Sequence, residues 1–128
     1  MDFPGGLQYT KDHEWIQLED GTATIGVTEF AIEQLGDIVH LDLPEVGAEF
    51  ESGDTFGTIE STKTVSDLYI PLTGVVTAIN DQLQDKLESL GEDPYKSGWL
   101  VKVKTSGSTS SDELLSAEKY EAFIKEQD

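Results

Sequence analysis

From residue 13 to residue 104 the chain alternates apolar and polar positions, the period of a strand with one covered face. In "DIVHLDL" (37–43), Val39, Leu41 and Leu43 share one face, and His40 and Asp42 the other. In "GVVTAIN" (74–80), Val75, Thr77 and Ile79 alternate with Val76 and Ala78. In "WLVKVK" (99–104), Trp99, Val101 and Val103 alternate with Lys102 and Lys104. "TATIGV" (22–27) and "GDTFGTIES" (53–61) are further short strands. "HEWIQLE" (13–19) also reads as a strand, with its inward face open between Trp15 and the Ile16/Leu18 pair.

Turn residues separate these runs at Asp20-Gly21, Pro44 to Gly47, Ser52-Gly53-Asp54, Pro71 to Gly74 and Lys96 to Gly98. That punctuation predicts a small sandwich or barrel of antiparallel strands. Helices are fewer. "TEFAIEQLGD" has Thr28 as N-cap and Gly36 as its stop. "NDQLQDKLESLGED" (80–93) predicts one short helix ending at Gly91. "TSGSTSSDELL" (105–115) opens as a Ser/Thr/Gly linker over about 105–110, and Ser110 with Glu113 forms a capping box. Leu114, Ala117, Tyr120 and Ile124, flanked by Phe123, then predict a C-terminal helix over about 111–126 that packs back on the sheets. The expected layout is one domain over 1–128, with its core at about 7–104.

Composition narrows the function. A length of 128 residues with 37% apolar content is enough for a real core. Cysteine is absent, which removes disulfides and thiolate chemistry. Twenty-six acidic residues against eight lysines give a net charge of −18. Such a chain repels nucleic acid and anionic membranes, and docks on basic patches of other proteins. The N-terminus lacks a basic n-region, an apolar h-region and the Arg-rich look of a transit peptide. The expected setting is the bacterial cytoplasm, or the mitochondrial matrix for a processed chain.

Most enzyme chemistries find no support. His13-Glu14 is not followed by a second histidine at zinc-helix spacing, and His13 and His40 alone make a poor metal site. No glycine-rich phosphate loop is present. Lys63 stands out instead, as the only Lys or Arg between Lys11 and Lys86. It falls between two strand-like runs, at an exposed hairpin tip, where a flexible amine is a ready target for acylation. The plain alternative is a surface lysine that discourages edge pairing.

"IESTKTVSDLYIPLTGVV" (59–76) resembles the lipoyl-attachment hairpin of the glycine cleavage system H protein family, by Glu60, Ser61, Lys63, Ser66, Asp67, Pro71 and Gly74. "HEWI", "TIGVTEFAIEQLGDIVHLDLPEVG" and "DPYKSGWLVKVK" resemble the same family in the same order, so the likeness covers about residues 7–125. Biotin carriers flank their lysine with methionine, whereas Met1 is the sole methionine here. The resemblance implies a mostly-β barrel-sandwich hybrid of the biotinyl/lipoyl-carrier type, with short helices and a C-terminal helix. It implies a carrier and not an enzyme, with lipoic acid joined to Lys63 as an amide.

The partners it implies are a pyridoxal-phosphate glycine decarboxylase that loads an aminomethyl group, a tetrahydrofolate-dependent aminomethyltransferase that removes it, and a flavin dihydrolipoamide dehydrogenase that reoxidises the arm. A lipoate ligase or lipoyl/octanoyl transferase must install the arm. Glu60, Ser61, Asp67 and Gly74 are the expected attachment hairpin, and His13 and Glu14 the candidate wall of a cleft for the loaded arm. Two other readings stay open: a lipoyl-relay protein of the same fold, and an acidic interaction module whose Lys63 is never modified.

Overall fold

A computed structural model describes residues 3, 5–19, 21–96, 98–105 and 114–127. Two antiparallel sheets face each other. The larger has six strands in the order β1-β2-β3-β9-β8-β5: β1 is Gln8–Tyr9, β2 Glu14–Glu19, β3 Thr22–Val27, β5 Glu49–Phe50, β8 Gly74–Ile79 and β9 Val101–Thr105. The smaller has the order β4-β6-β7: β4 is Ile38–Asp42, β6 Thr55–Ser61 and β7 Val65–Tyr69. This is the mostly-β sandwich the turn spacing predicts. No helix among the described residues is long and apolar enough to cross a membrane.

The main core lies between the sheets. Ile16, Ile25, Val76, Val101 and Val103 from the larger sheet meet Leu41, Ile59 and Leu68 from the smaller. A second, mostly aromatic cluster of Tyr9, Trp15, Phe30, Tyr120 and Ile124 lies on the opposite face of β2. This answers the ambiguity of "HEWIQLE": both faces are covered, Ile16 by the main core and Trp15 by the second cluster. Trp15 lies flat over Gly26, its cross-strand partner, where a β-carbon would overlap the indole ring. Its Nε1–H donates to the Pro94 carbonyl at 2.9 Å.

Helix α1 (Glu29–Leu35) begins and ends as its sequence dictates. The Thr28 side chain accepts from the Ala31 N–H at 3.3 Å, and Gly36 stops the helix at φ 86°. Helix α3 (Ala117–Gln127) buries Tyr120 and Ile124 in the second cluster, and a bridge between Leu115 and Tyr9 ties its approach to β1. The predicted start near residue 111 is too early, because Leu114 and Leu115 precede the helix as extended chain. The linker at 106–110 and the Ser110/Glu113 capping box lie outside the described residues.

Three other expectations need correction. The register of β4 against β6 shifts between Ile38 and His40, and this bulge leaves Val39 48% exposed, not inward with Leu41. The 80–93 segment is a 3-10 turn (Asp81–Gln84) followed by the four-residue helix α2 (Ser89–Glu92), with Gly91 inside α2. Trp99 precedes β9 and packs with the second cluster, away from Val101 and Val103, with the Lys102 amine 5.2 Å from its ring.

Candidate functional site

Strands β6 and β7 end in a tight turn over Ser61–Thr64. The Ser61 N–H donates to the Thr64 carbonyl at 2.8 Å. The Ser61 hydroxyl accepts from the N–H groups of Lys63 and Thr64, both at 3.1 Å, so this buried serine holds the turn from within. The Thr62 N–H donates to the Asp37 carbonyl at 3.0 Å and pins the turn to the end of α1. Lys63 therefore stands on a hydrogen-bonded tip, with its side chain exposed and no ion pair among the described residues.

Glu60 and Asp67 share the outer face of the small sheet. Glu60 pairs with His40 and Val65, and Asp67 with Thr58, two residues from Glu60 on the same strand. Val65 and Tyr69 continue that face along β7 and are 59% and 37% exposed. Gly74, expected with the hairpin, is not part of it. It opens β8 in the other sheet, where a β-carbon would overlap the Lys104 carbonyl. Its glycine identity follows from strand packing.

The far end of β7 borders a cleft of about 510 Å³. Glu14, Thr10, Tyr69, Ile70, Pro71 and Leu115 are among its lining residues. Glu14 is 2% exposed, and neither carboxylate oxygen has a well-formed hydrogen bond among the described residues. Burial pushes its carboxyl well above the usual range, Asp12 adds to the rise, and the Tyr69 backbone offsets part of it. His13, expected beside Glu14 in the wall, is turned away. Its Nδ1 shares a 2.8 Å hydrogen bond with the Tyr120 hydroxyl, and its ring centroid lies 4.8 Å from that of Phe30. A left-handed backbone at His13 (φ 66°) accompanies this turn.

The fold and these positions match known proteins. A family model described as glycine cleavage H-protein matches residues 7–127. The chain belongs to this family. It is 49% identical to the glycine cleavage system H protein of Oceanobacillus iheyensis, over 98% of this chain and all of that one. The H protein of Bacteroides thetaiotaomicron is 48% identical over 97% of this chain and 98% of its own length. A crystal structure of a glycine cleavage system H protein from Mycobacterium marinum superposes with a TM-score of 0.89 at 40% identity, covering 96% of this chain and 99% of that one. Members of the family are carriers and not catalysts, and the architecture is the barrel-sandwich hybrid of lipoyl domains.

Sequence reasoning missed Tyr69, Ile70, Pro71, Leu114 and Leu115 as cleft residues. Only the exposed aromatic at the end of β7 hinted at them. Leu114 and Leu115 arrive from the far end of the chain through the bridge to Tyr9, which no local pattern announces.

Proposed function

We propose that the chain is the lipoyl-carrying shuttle of a glycine cleavage system, with the lipoyl arm on Lys63 moving between glycine decarboxylase, the aminomethyltransferase and dihydrolipoamide dehydrogenase. The observation that carries this reading is the lone amine on a turn pinned by Ser61, within a chain of this family. The relatives named above come from bacteria, which supports a cytoplasmic setting.

Lipoyl supplies a dithiolane that accepts a one-carbon unit and two electrons, chemistry no side chain of this cysteine-free protein provides. The residues present fit such a group. Strand β7 leads from the Lys63 turn to the cleft, a run of about 14 Å from Val65 to Tyr69 at strand rise. Val65 and Tyr69 offer apolar footing along it, and Ile70, Pro71, Leu114 and Leu115 give the cleft apolar walls. Glu14 is a buried acceptor with no well-formed hydrogen bond among the described residues. In its ionised form it holds a protonated amine entering the cleft by a charge-assisted hydrogen bond, and the apolar walls keep water from that amine.

The test is intact mass of protein made in a lipoate-competent host, with a peptide map. Wild type gains one lipoyl group on Lys63, and Lys63→Arg gains none while keeping its fold, because a guanidinium does not accept the acyl group. Unmodified wild type, or lipoyl on another lysine, overturns the assignment.

A further inference from the structure

A second groove, of about 680 Å³, runs between the end of α1 and the 3-10 turn with α2. Its floor is apolar: Ile32, Ile38, Leu87 and the outward-bulged Val39. Its rim carries Asp37, Asp85, Glu88 and Glu92, all exposed, and no lysine or histidine lines it among the described residues. The walls are tied together. The Gln84 Nε2–H donates to the Leu41 carbonyl at 3.0 Å, and a β-carbon on Gly91 would meet Ile32 at 3.7 Å. Gly36 belongs to this groove, and a β-carbon there would stand 3.6 Å from Lys63 Cε, so the groove ends beside the amine.

We infer that this groove receives a basic, amphipathic segment of the enzyme that acylates Lys63, its apolar side chains on the Val39 floor and its lysines or arginines on the acidic rim. The inference rests on Lys63 being the attachment site. Enzymes that act on the distal dithiolane work an arm's length from the protein surface. The acylating enzyme works at Nζ itself: the amide C–N bond forms there, the amine gives up a proton, and the C–O bond of a lipoyl adenylate breaks to release AMP. Its footprint must therefore include the ground next to Lys63. That ground is a preformed, acid-rimmed apolar groove, and complementary charge across such a surface speeds encounter and fixes register.

The experiment uses an ATP-dependent lipoate–protein ligase with free lipoate and ATP, and follows intact mass at varied carrier concentration. The groove variant is Asp85→Asn/Glu88→Gln/Glu92→Gln. The control, with the same change in net charge, is Glu45→Gln/Glu49→Gln/Glu51→Gln, outside the groove. Val39→Asn tests the floor. Losing three rim charges raises the ligase KM for the carrier about ten-fold with kcat unchanged. Val39→Asn raises it about three-fold, the control less than two-fold, and the melting temperatures of all three match wild type. Equal effects of groove and control variants overturn the inference in favour of general charge steering. Normal lipoylation of the groove variants with a raised KM for glycine decarboxylase or another enzyme of the system makes that enzyme the occupant and overturns it too. Wild type that takes no lipoyl on Lys63 overturns the attachment reading itself, an outcome distinct from a modified wild type with indifferent groove variants.

Discussion

Lys63 lies against Gly36: a β-carbon on Gly36 would stand 3.6 Å from Lys63 Cε and 3.8 Å from its Nζ. Those are ordinary contact distances, so crowding does not require glycine there. The backbone does. With φ 86° and ψ −141°, Gly36 occupies a region closed to other residues at little cost only to glycine, and its N–H caps α1 on the Ile32 carbonyl at 3.0 Å. Gly36→Ala should lower stability by about 1–3 kcal/mol in urea denaturation, while the folded variant is still acylated at Lys63. Unchanged stability would show that the turn relaxes freely.

A chain of side chains joins the two termini of the fold to α1. The Tyr120 hydroxyl on α3 lies 2.8 Å from both His13 Nδ1 and Thr28 Oγ1, and Thr28 is the N-cap of α1. Tyr120→Phe leaves those partners short of one hydrogen bond in a buried setting, an expected loss of about 1–3 kcal/mol. A loss below a few tenths of a kcal/mol in chemical denaturation would mean that water replaces the hydroxyl.

His13 also gives that network a pH dependence. Burial lowers its pKa below the ordinary 6.5, against a smaller opposing effect of Asp12. The unfolded chain therefore binds the proton first. The His13 contribution to stability is present above pH 6.5 and is lost as pH falls through 6.5 toward the folded value. His13→Asn tolerates the left-handed backbone and does not titrate. The fall in stability between pH 7.5 and 5.5 should be smaller in this variant than in wild type, and parallel curves would remove His13 as its source.

The strands and α1 were legible because their signals are local. Alternation marks a strand with one covered face, and Thr28 and Gly36 mark a helix by side-chain and backbone chemistry alone. Val39 was misread because its bulge is set by how β4 registers on β6, information that sits on another strand. The 80–93 segment has too few apolar positions to sustain one helix, and Leu83 and Leu90, its buried residues, each anchor a separate turn. Lys63 stood out by its isolation, but isolation alone left the plain surface-lysine reading open, and the resemblance over residues 59–76 is what pointed to attachment. Glu14 was singled out as a candidate cleft wall, but its near-complete burial was not legible, because that burial depends on β7 and the C-terminal segment.

Glu60 and Asp67 stand three residues before and four after Lys63, on the outer face of the hairpin that any acylating enzyme meets. Neither supports the fold by an ion pair among the described residues. Glu60→Gln and Asp67→Asn should slow lipoylation several-fold with little change in melting temperature. Rates equal to wild type would exclude both from recognition. Gly74→Ala is a poor probe of the same question, since its overlap with the Lys104 carbonyl damages the β8–β9 pairing first.

On the proposed function, Glu14 sets stability against protection of the loaded arm. Its carboxylate is buried with no well-formed hydrogen bond among the described residues, so the folded state favours the protonated form. Because its folded pKa is raised, the stability this group retains is full below its unfolded value near 4.5 and is lost as pH rises through the folded value. Glu14→Leu removes the buried polar group and keeps most of its bulk. The variant without an arm should be more stable than wild type by about 1–3 kcal/mol, and the gain should grow with rising pH. The loaded protein should respond in the opposite sense. With no carboxylate to hold the protonated amine, spontaneous release of ammonia and formaldehyde should quicken about ten-fold, since a hydrogen bond to a charged group is worth roughly 1.5–3 kcal/mol. The extent of lipoylation stays the same, because Glu14 lies at the far end of β7 from Lys63. Denaturation curves at pH 6 and pH 8, with ammonia release timed from isolated loaded protein, test both signs. A variant that is more stable yet decays at the wild-type rate would leave Glu14 a buried acid with no protective role. A variant that decays faster but is no more stable would mean that the carboxylate is already well satisfied in the unmodified protein.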